Sequence, residues 1–146
     1  MTMDQLHALT VEPFKLSTTR PQIWAGMARL ASLLIDGEVK GELVVDGSFL
    51  TDEIDPLDVD LVLVVTPIFY EGAIGEPLRL MEWIRDDATI KDSHLCDCSL
   101  CVEYPKGHEQ YFDGIQDRQS WVNLFAKSVV FKRERGLAVV DLKAMP

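Results

Sequence analysis

Two aspartates, Asp58 and Asp60, follow the pair Gly47-Ser48 with nine residues between Ser48 and Asp58. On a strand, alternation would send both carboxylates to one face and Val59 and Leu61 to the other. Like charges a few ångströms apart either raise one pKa or recruit a cation, and an oxygen pair of this kind suits Mg²⁺ shared with substrate phosphates. Glycine at position 47 permits close backbone approach, so main-chain N–H groups and the Ser48 hydroxyl could hold a terminal phosphate of a nucleotide. Gly-Ser alone is a common turn, and the spacing to the aspartates gives it weight. The competing reading is an exposed pair on an edge strand or a loop cap; the apolar run from Leu61 to Val65 favours a buried strand instead.

Several elements must position these residues. Thr18 or Thr19 as a cap, Pro21 in a first turn, and Ile23, Met27, Leu30 and Leu34 at helical spacing predict a helix from Thr19 to near Gly37. Glu42 to Val45 reads as a strand running into the Gly47 turn, and Val59 to Val65 as the strongest strand of the chain. Pro67, Gly72, Gly75 and Pro77 punctuate a loop, after which Leu78 to Asp86 has a helical pattern with Leu80, Met81 and Ile84 inward. A third strand is expected over Leu95 to Val102, a short helix over Ser120 to Ser128 with Trp121, Leu124 and Phe125, and a final strand or helix over Leu137 to Leu142. Residues 1–17 lack a clean period, but Leu6, Leu9, Val11, Phe14 and Leu16 could pack an ordered arm against the body. The element order indicates an α/β (α+β) architecture in a single domain spanning residues 1–146.

Bulk composition narrows the function classes. Hydrophobic residues make up 47% and charged residues 26%, which suits a folded globular chain. The net charge of −10 argues against general DNA binding, an affinity built on neutralising phosphates with Lys and Arg. The basic cluster Lys127, Lys132, Arg133 and Arg135 could assist a nucleotide or could be a solvated surface paired with Glu134. No apolar run approaches the ~20 residues that cross a bilayer, and the N-terminus has no secretory pattern, so a cytoplasmic location is expected. His94, Cys96, Cys98 and Cys101 invite a zinc reading, but ligands on an extended segment lie too far apart to enclose a tetrahedral ion without a sharp turn. Buried, reduced cysteines are preferred, as are core roles for Trp24, Trp83 and Trp121.

Gly47-Ser48 followed by Asp58-Val59-Asp60 resembles the nucleotidyltransferase superfamily, in which a Gly-Ser turn precedes an Asp-x-Asp strand. The stretch Val44-Val45-Asp46-Gly47-Ser48-Phe49-Leu50-Thr51 with Pro56-Leu57-Asp58-Val59-Asp60 is similar to small bacterial and phage nucleotidyltransferase-like proteins. His7 to Thr10 with Phe14, the helix led by Arg20, Trp121 to Phe125 and Arg135 to Leu137 extend the similarity over most of the chain. The resemblance implies a minimal nucleotidyltransferase fold, a mixed sheet with helices packed against it. It implies nucleotide contacts at Gly47, Ser48, Phe49 and Thr51, and metal-binding, catalytic carboxylates at Asp58, Asp60 and a third position. Asp97, which interrupts an apolar segment, matches that third carboxylate best, with Glu103 in reserve. Two Mg²⁺ ions and an NTP substrate are implied, with transfer of a nucleoside monophosphate to a hydroxyl of a protein, tRNA or small molecule. A role in a toxin–antitoxin or phage-defence pair, with a cognate partner, is a further implication. The alternative is an inactive nucleotide-binding or protein-interaction module of the same fold.

Overall fold

Val59–Val65 forms an interior strand of a four-stranded sheet in the computed structural model, which describes residues 1–46, 48–86, 89–103 and 138–142. The strands are β1 (Glu42–Asp46), β2 (Val59–Val65), β3 (Cys96–Val102) and β4 (Ala138–Asp141), ordered β3-β2-β1-β4 across the sheet. β1 runs antiparallel to β2 and to β4, while β2 and β3 are parallel, so the sheet is mixed. Together with its helices this makes an α+β fold.

β2 is apolar at nearly every position because both of its faces are buried. Val59, Leu61, Leu63 and Val65 join the large core shared with the helices, whereas Val62 and Val64 join Val44 and Cys101 in a second cluster on the opposite face. The helical layer comprises α1 (Met3–Thr10), α2 (Arg20–Asp36), α3 (Pro67–Gly72), α4 (Glu76–Asp86) and α5 (Ile90–His94). α2 inserts Ile23, Met27, Leu30 and Leu34 into the core, and α4 inserts Leu80, Met81 and Ile84, the faces that their apolar spacing implies.

Three helices depart from the sequence expectation. α1 lies within the segment read as an aperiodic arm, and it begins with a reciprocal cap: Gln5 N donates to the Thr2 hydroxyl at 3.2 Å and Thr2 N donates to Gln5 Oε1 at 2.9 Å. Leu6 is its buried anchor, while Leu9 and Leu16 are exposed. α3 occupies the expected loop; Pro67 starts the helix there, behind a Thr66 hydroxyl that accepts from Phe69 N at 3.2 Å. α5 is short and ends on Leu95, whose φ of 55° turns the chain directly into β3. The expected capping of α2 by a threonine hydroxyl is replaced by Ser17, whose Oγ accepts from Arg20 N at 3.0 Å. Helices α2 and α5 approach closely at Gly26, where an added Cβ would fall 1.9 Å from the His94 carbonyl oxygen.

The expected C-terminal strand or helix is the strand β4 over its described part. The proposed helix at 120–128 and the basic cluster Lys127, Lys132, Arg133 and Arg135 lie outside the described residues. Among the described residues, no helix is long and apolar enough to cross a membrane.

Candidate functional site

Strand register brings the acidic residues together. Asp60 on β2 stands opposite Asp46 of β1 and opposite Asp97 of β3, so three carboxylates occupy one row across three adjacent strands. All three share the parity of Val44, Val62 and Cys101, which places them on the face opposite the helical layer. Neighbouring side chains in such a row are about 5 Å apart. Asp58, immediately before β2, adds a fourth carboxylate to the field at Asp60.

The electrostatic consequence falls on the middle of the row. Partial burial pushes the Asp60 carboxyl up to about 6, and the charges of Asp58, Asp97 and Asp46 push in the same direction. Lys91 on α5 opposes them. Its Nζ lies 2.9 Å from Asp58 Oδ2, and that bond holds the ammonium above the usual lysine range.

Both ends of the segment between β1 and β2 are tied down. The Arg20 side chain is fully buried, and its guanidinium donates five hydrogen bonds, all to main-chain carbonyls. Nη1 reaches Thr10 O at 2.8 Å and Phe49 O at 2.7 Å; Nη2 reaches Thr51 O at 2.8 Å and Glu53 O at 2.6 Å; Nε reaches Glu53 O at 3.1 Å. The guanidinium also stacks 3.7 Å from the Phe14 ring centroid. Burial lowers the pKa of Arg20, and the charges of Glu53 and Asp52 partly offset this, so the acidic loop supports the cation that shapes it. Farther along, Asp55 accepts from Thr18 N at 2.8 Å and from Ser17 Oγ at 3.1 Å, and these bonds hold its carboxyl below the usual range.

The expected site residues therefore separate into groups. Asp58, Asp60 and Asp97 come together. Gly47 lies outside the described residues, and Ser48 opens a 3₁₀ turn, Ser48–Leu50, directly after the Asp46 end of β1. Phe49 is fully buried in the helix-side core, so its side chain cannot meet a ligand as it stands; its carbonyl is a ligand of Arg20 instead. Thr51 likewise serves the loop, its Oγ1 accepting from Glu53 N at 3.3 Å. Glu103 lies six residues beyond Asp97, roughly 20 Å along the strand direction, and belongs to the other end of the sheet. Asp46, Lys91 and Arg20 also shape the site, and the motif does not mark them. Asp46 directly follows the expected strand Glu42–Val45 and precedes Gly47, a position that could have marked it, whereas the positions of Lys91 and Arg20 depend on tertiary contacts.

The cysteines are free and buried, and β3 divides them: Cys96 and Cys98 face the helices and Cys101 faces the other way. Burial pushes the Cys96 thiol up to about 12, so it stays protonated and unreactive. Trp24 and Trp83 are partly buried against the core, each edge-on to a histidine, His7 and His94 respectively; Trp121 lies outside the described residues. Among the described residues, no three His, Cys, Asp or Glu side chains are arranged to enclose a metal ion by themselves. Magnesium does not require such a cage, because it is commonly held by one or two carboxylates together with waters and substrate phosphates. The all-oxygen donor set and the charge repulsion at Asp60 fit that mode of binding.

Fold and site together define an α+β protein with an aspartate row at one end of a mixed sheet. The chain belongs to a family of unknown function, DUF6932, which matches it over residues 1–141. No curated protein and no solved structure matches it.

Proposed function

We propose that the chain is a Mg²⁺-dependent nucleotidyltransferase, moving a nucleoside monophosphate from an NTP to a hydroxyl of a protein, tRNA or small molecule. The observation that carries this reading is the juxtaposition of Asp60 and Asp97 in one cross-strand pair, with Asp58 two residues upstream and the Ser48 turn at the same end of the sheet. Asp58, Asp60 and Asp97 would hold Mg²⁺, which when bound supplies charge neutralisation and orientation to the polyphosphate. Backbone N–H groups of Gly47 and Ser48 would cradle the terminal phosphate, beside a loop whose path Arg20 holds through its carbonyl bonds. In the transfer itself, the acceptor oxygen bonds to the α-phosphorus as the bond to the β-phosphate oxygen breaks. Pyrophosphate leaves, and Asp97 takes the proton of the attacking hydroxyl.

A second reading has its own observation. Lys91 already neutralises Asp58, as expected of an inactive module that keeps the fold and binds a nucleotide or a protein without using its carboxylates. Thermal unfolding with each NTP, with and without Mg²⁺, tests the first reading on wild type and on Asp58→Asn/Asp60→Asn. A ligand at ~100 times its Kd stabilises by about 2.7 kcal/mol, a shift of several degrees for a chain of this size. The expected result is a Mg²⁺-dependent shift absent from the double variant. A shift retained in that variant supports the inactive module, and no shift with any NTP at millimolar concentration removes the nucleotide site. Growth arrest on expression that a neighbouring gene relieves and Asp60→Asn abolishes would support participation in a toxin–antitoxin or phage-defence pair.

A further inference from the structure

Lys91 is the residue that the proposed chemistry leaves unused. Among the described residues it supplies the positive charge that opposes the row at Asp60, and its ammonium contacts Asp58 directly. The lysine side chain is 56% exposed while that of Asp58 is 20% exposed, so the cation can withdraw into solvent and leave the carboxylate in place. An ammonium at this position does part of what a divalent ion would do, with half the charge and no open position for a phosphate. A metal ion entering alone must break the ion pair and leave the ammonium to water. A metal ion entering with a polyphosphate brings new oxygens for that ammonium, and such charge-assisted bonds are the strong ones.

We propose that Lys91 is a built-in competitor for the divalent cation at Asp58, released when the cation arrives together with a polyphosphate whose oxygens then take up the ammonium. The polyphosphate half rests on the nucleotide-site reading above; the competition at Asp58 does not. Metal and nucleotide would then bind as one complex rather than in succession, and Lys91 becomes a positioning residue for the phosphates.

Mn²⁺ is a suitable probe, its free form counted by electron paramagnetic resonance, with inorganic tripolyphosphate as a base-independent phosphate ligand. The full chain would be compared as wild type, Lys91→Gln, Lys91→Arg and Lys91→Gln/Asp58→Asn. Exposed ion pairs are worth up to about fivefold in an equilibrium constant, so Lys91→Gln should bind Mn²⁺ alone up to about fivefold more tightly than wild type. Lys91→Arg should stay near wild type, and adding Asp58→Asn should cancel the gain. Because tripolyphosphate chelates Mn²⁺ in free solution, its arm is read by equilibrium dialysis as Mn²⁺ held on the protein's side in excess of a protein-free control: tripolyphosphate should raise that excess for wild type, and the enhancement should shrink by a similar factor in Lys91→Gln. Equal or weaker Mn²⁺ binding by Lys91→Gln, including no binding by either protein, overturns the competition; an undiminished tripolyphosphate effect overturns the handover. The nucleotidyltransferase reading fails separately, if no NTP shifts the unfolding of a chain that still shows the Mn²⁺ gain.

Discussion

Replacing Arg20 by methionine should cost about 5–8 kcal/mol, a figure that follows from where its five hydrogen bonds end. The bonds from Nη1 to Thr10 O and Phe49 O are buried, so water cannot substitute for the lost donor. Each is a bond from a charged donor, worth about 1.5–3 kcal/mol net when its partner is left unsatisfied. The three bonds to Thr51 O and Glu53 O are only part-buried, and rehydration reduces them to a few tenths of a kcal/mol each, roughly 1 kcal/mol in sum. Stacking on Phe14 adds about 1 kcal/mol, whereas methionine retains most of the packing of the arginine stem. Against a total stability of ~5–15 kcal/mol, the variant should be marginal at room temperature. Arg20→Lys keeps the charge without the planar fork and should recover less than half of the loss. Urea unfolding gives the energies, and hydrogen exchange of the amides at 49–55 reports whether the loop is released before the rest of the fold. A loss under ~1 kcal/mol with unchanged exchange in that loop would show that Arg20 does not hold it.

Asp60 should make stability fall as pH rises from about 4 to 6, because a carboxyl at about 6 in the folded chain and 3.8 unfolded binds more protons when folded across that window. The full difference corresponds to about 3 kcal/mol, reduced to ~1–2 kcal/mol for a partly exposed group, and this stability is present below pH 4 and lost above pH 6. Asp60→Asn should lack that slope and, in metal-free buffer at pH 7, be more stable than wild type by a similar amount; parallel pH profiles for the two proteins would contradict the assignment. Gly26→Ala should destabilise by ~1–3 kcal/mol or more, since the obstructing atom is the main-chain oxygen of His94 and cannot swing aside. Denaturant unfolding checks this, and an unperturbed midpoint would mean that α2 and α5 are not in contact at that point.

Much of the scaffold was legible because its signals are local. The β-branched run gave β2 its full extent, and apolar spacing gave the inward faces of α2 and α4. The misses have equally local causes. Thr2 and Gln5 form a capping box that marks α1, yet the segment behind it has too few buried positions to show a period. Pro67 reads as a breaker by its residue type, yet Thr66 before it makes it a helix start. α5, five residues with Lys91, Asp92 and Ser93 at its centre, is too short and polar for periodicity to register. At the site, alternation linked Asp58 with Asp60, but only strand pairing adds Asp46 and fixes Asp97 beside Asp60. Lys91 reaches Asp58 from an element absent from the sequence reading, and no local pattern marks Arg20 as a buried cation with carbonyl partners.

The aspartate row is hard to explain as a stabilising feature. Asp46, Asp60 and Asp97 are fixed in register by strands whose apolar residues are buried on both faces, so repulsion among them cannot be relieved by a one-residue slip without turning the core side chains outward. Lys91 compensates one carboxylate, Asp58, at the margin of the row, and Asp60 remains perturbed in spite of it. Asparagine or serine at position 60 would fit the same face without the charge, so the sheet itself does not call for aspartate there. Among the described residues, acidic groups that perturb one another stand together next to a loop held by a fully buried arginine, which concentrates local conflict at one place. Such conflict is relieved by a cation from outside the chain, which is the physical reason for seeking a metal-bound polyphosphate at this end of the sheet before any other ligand.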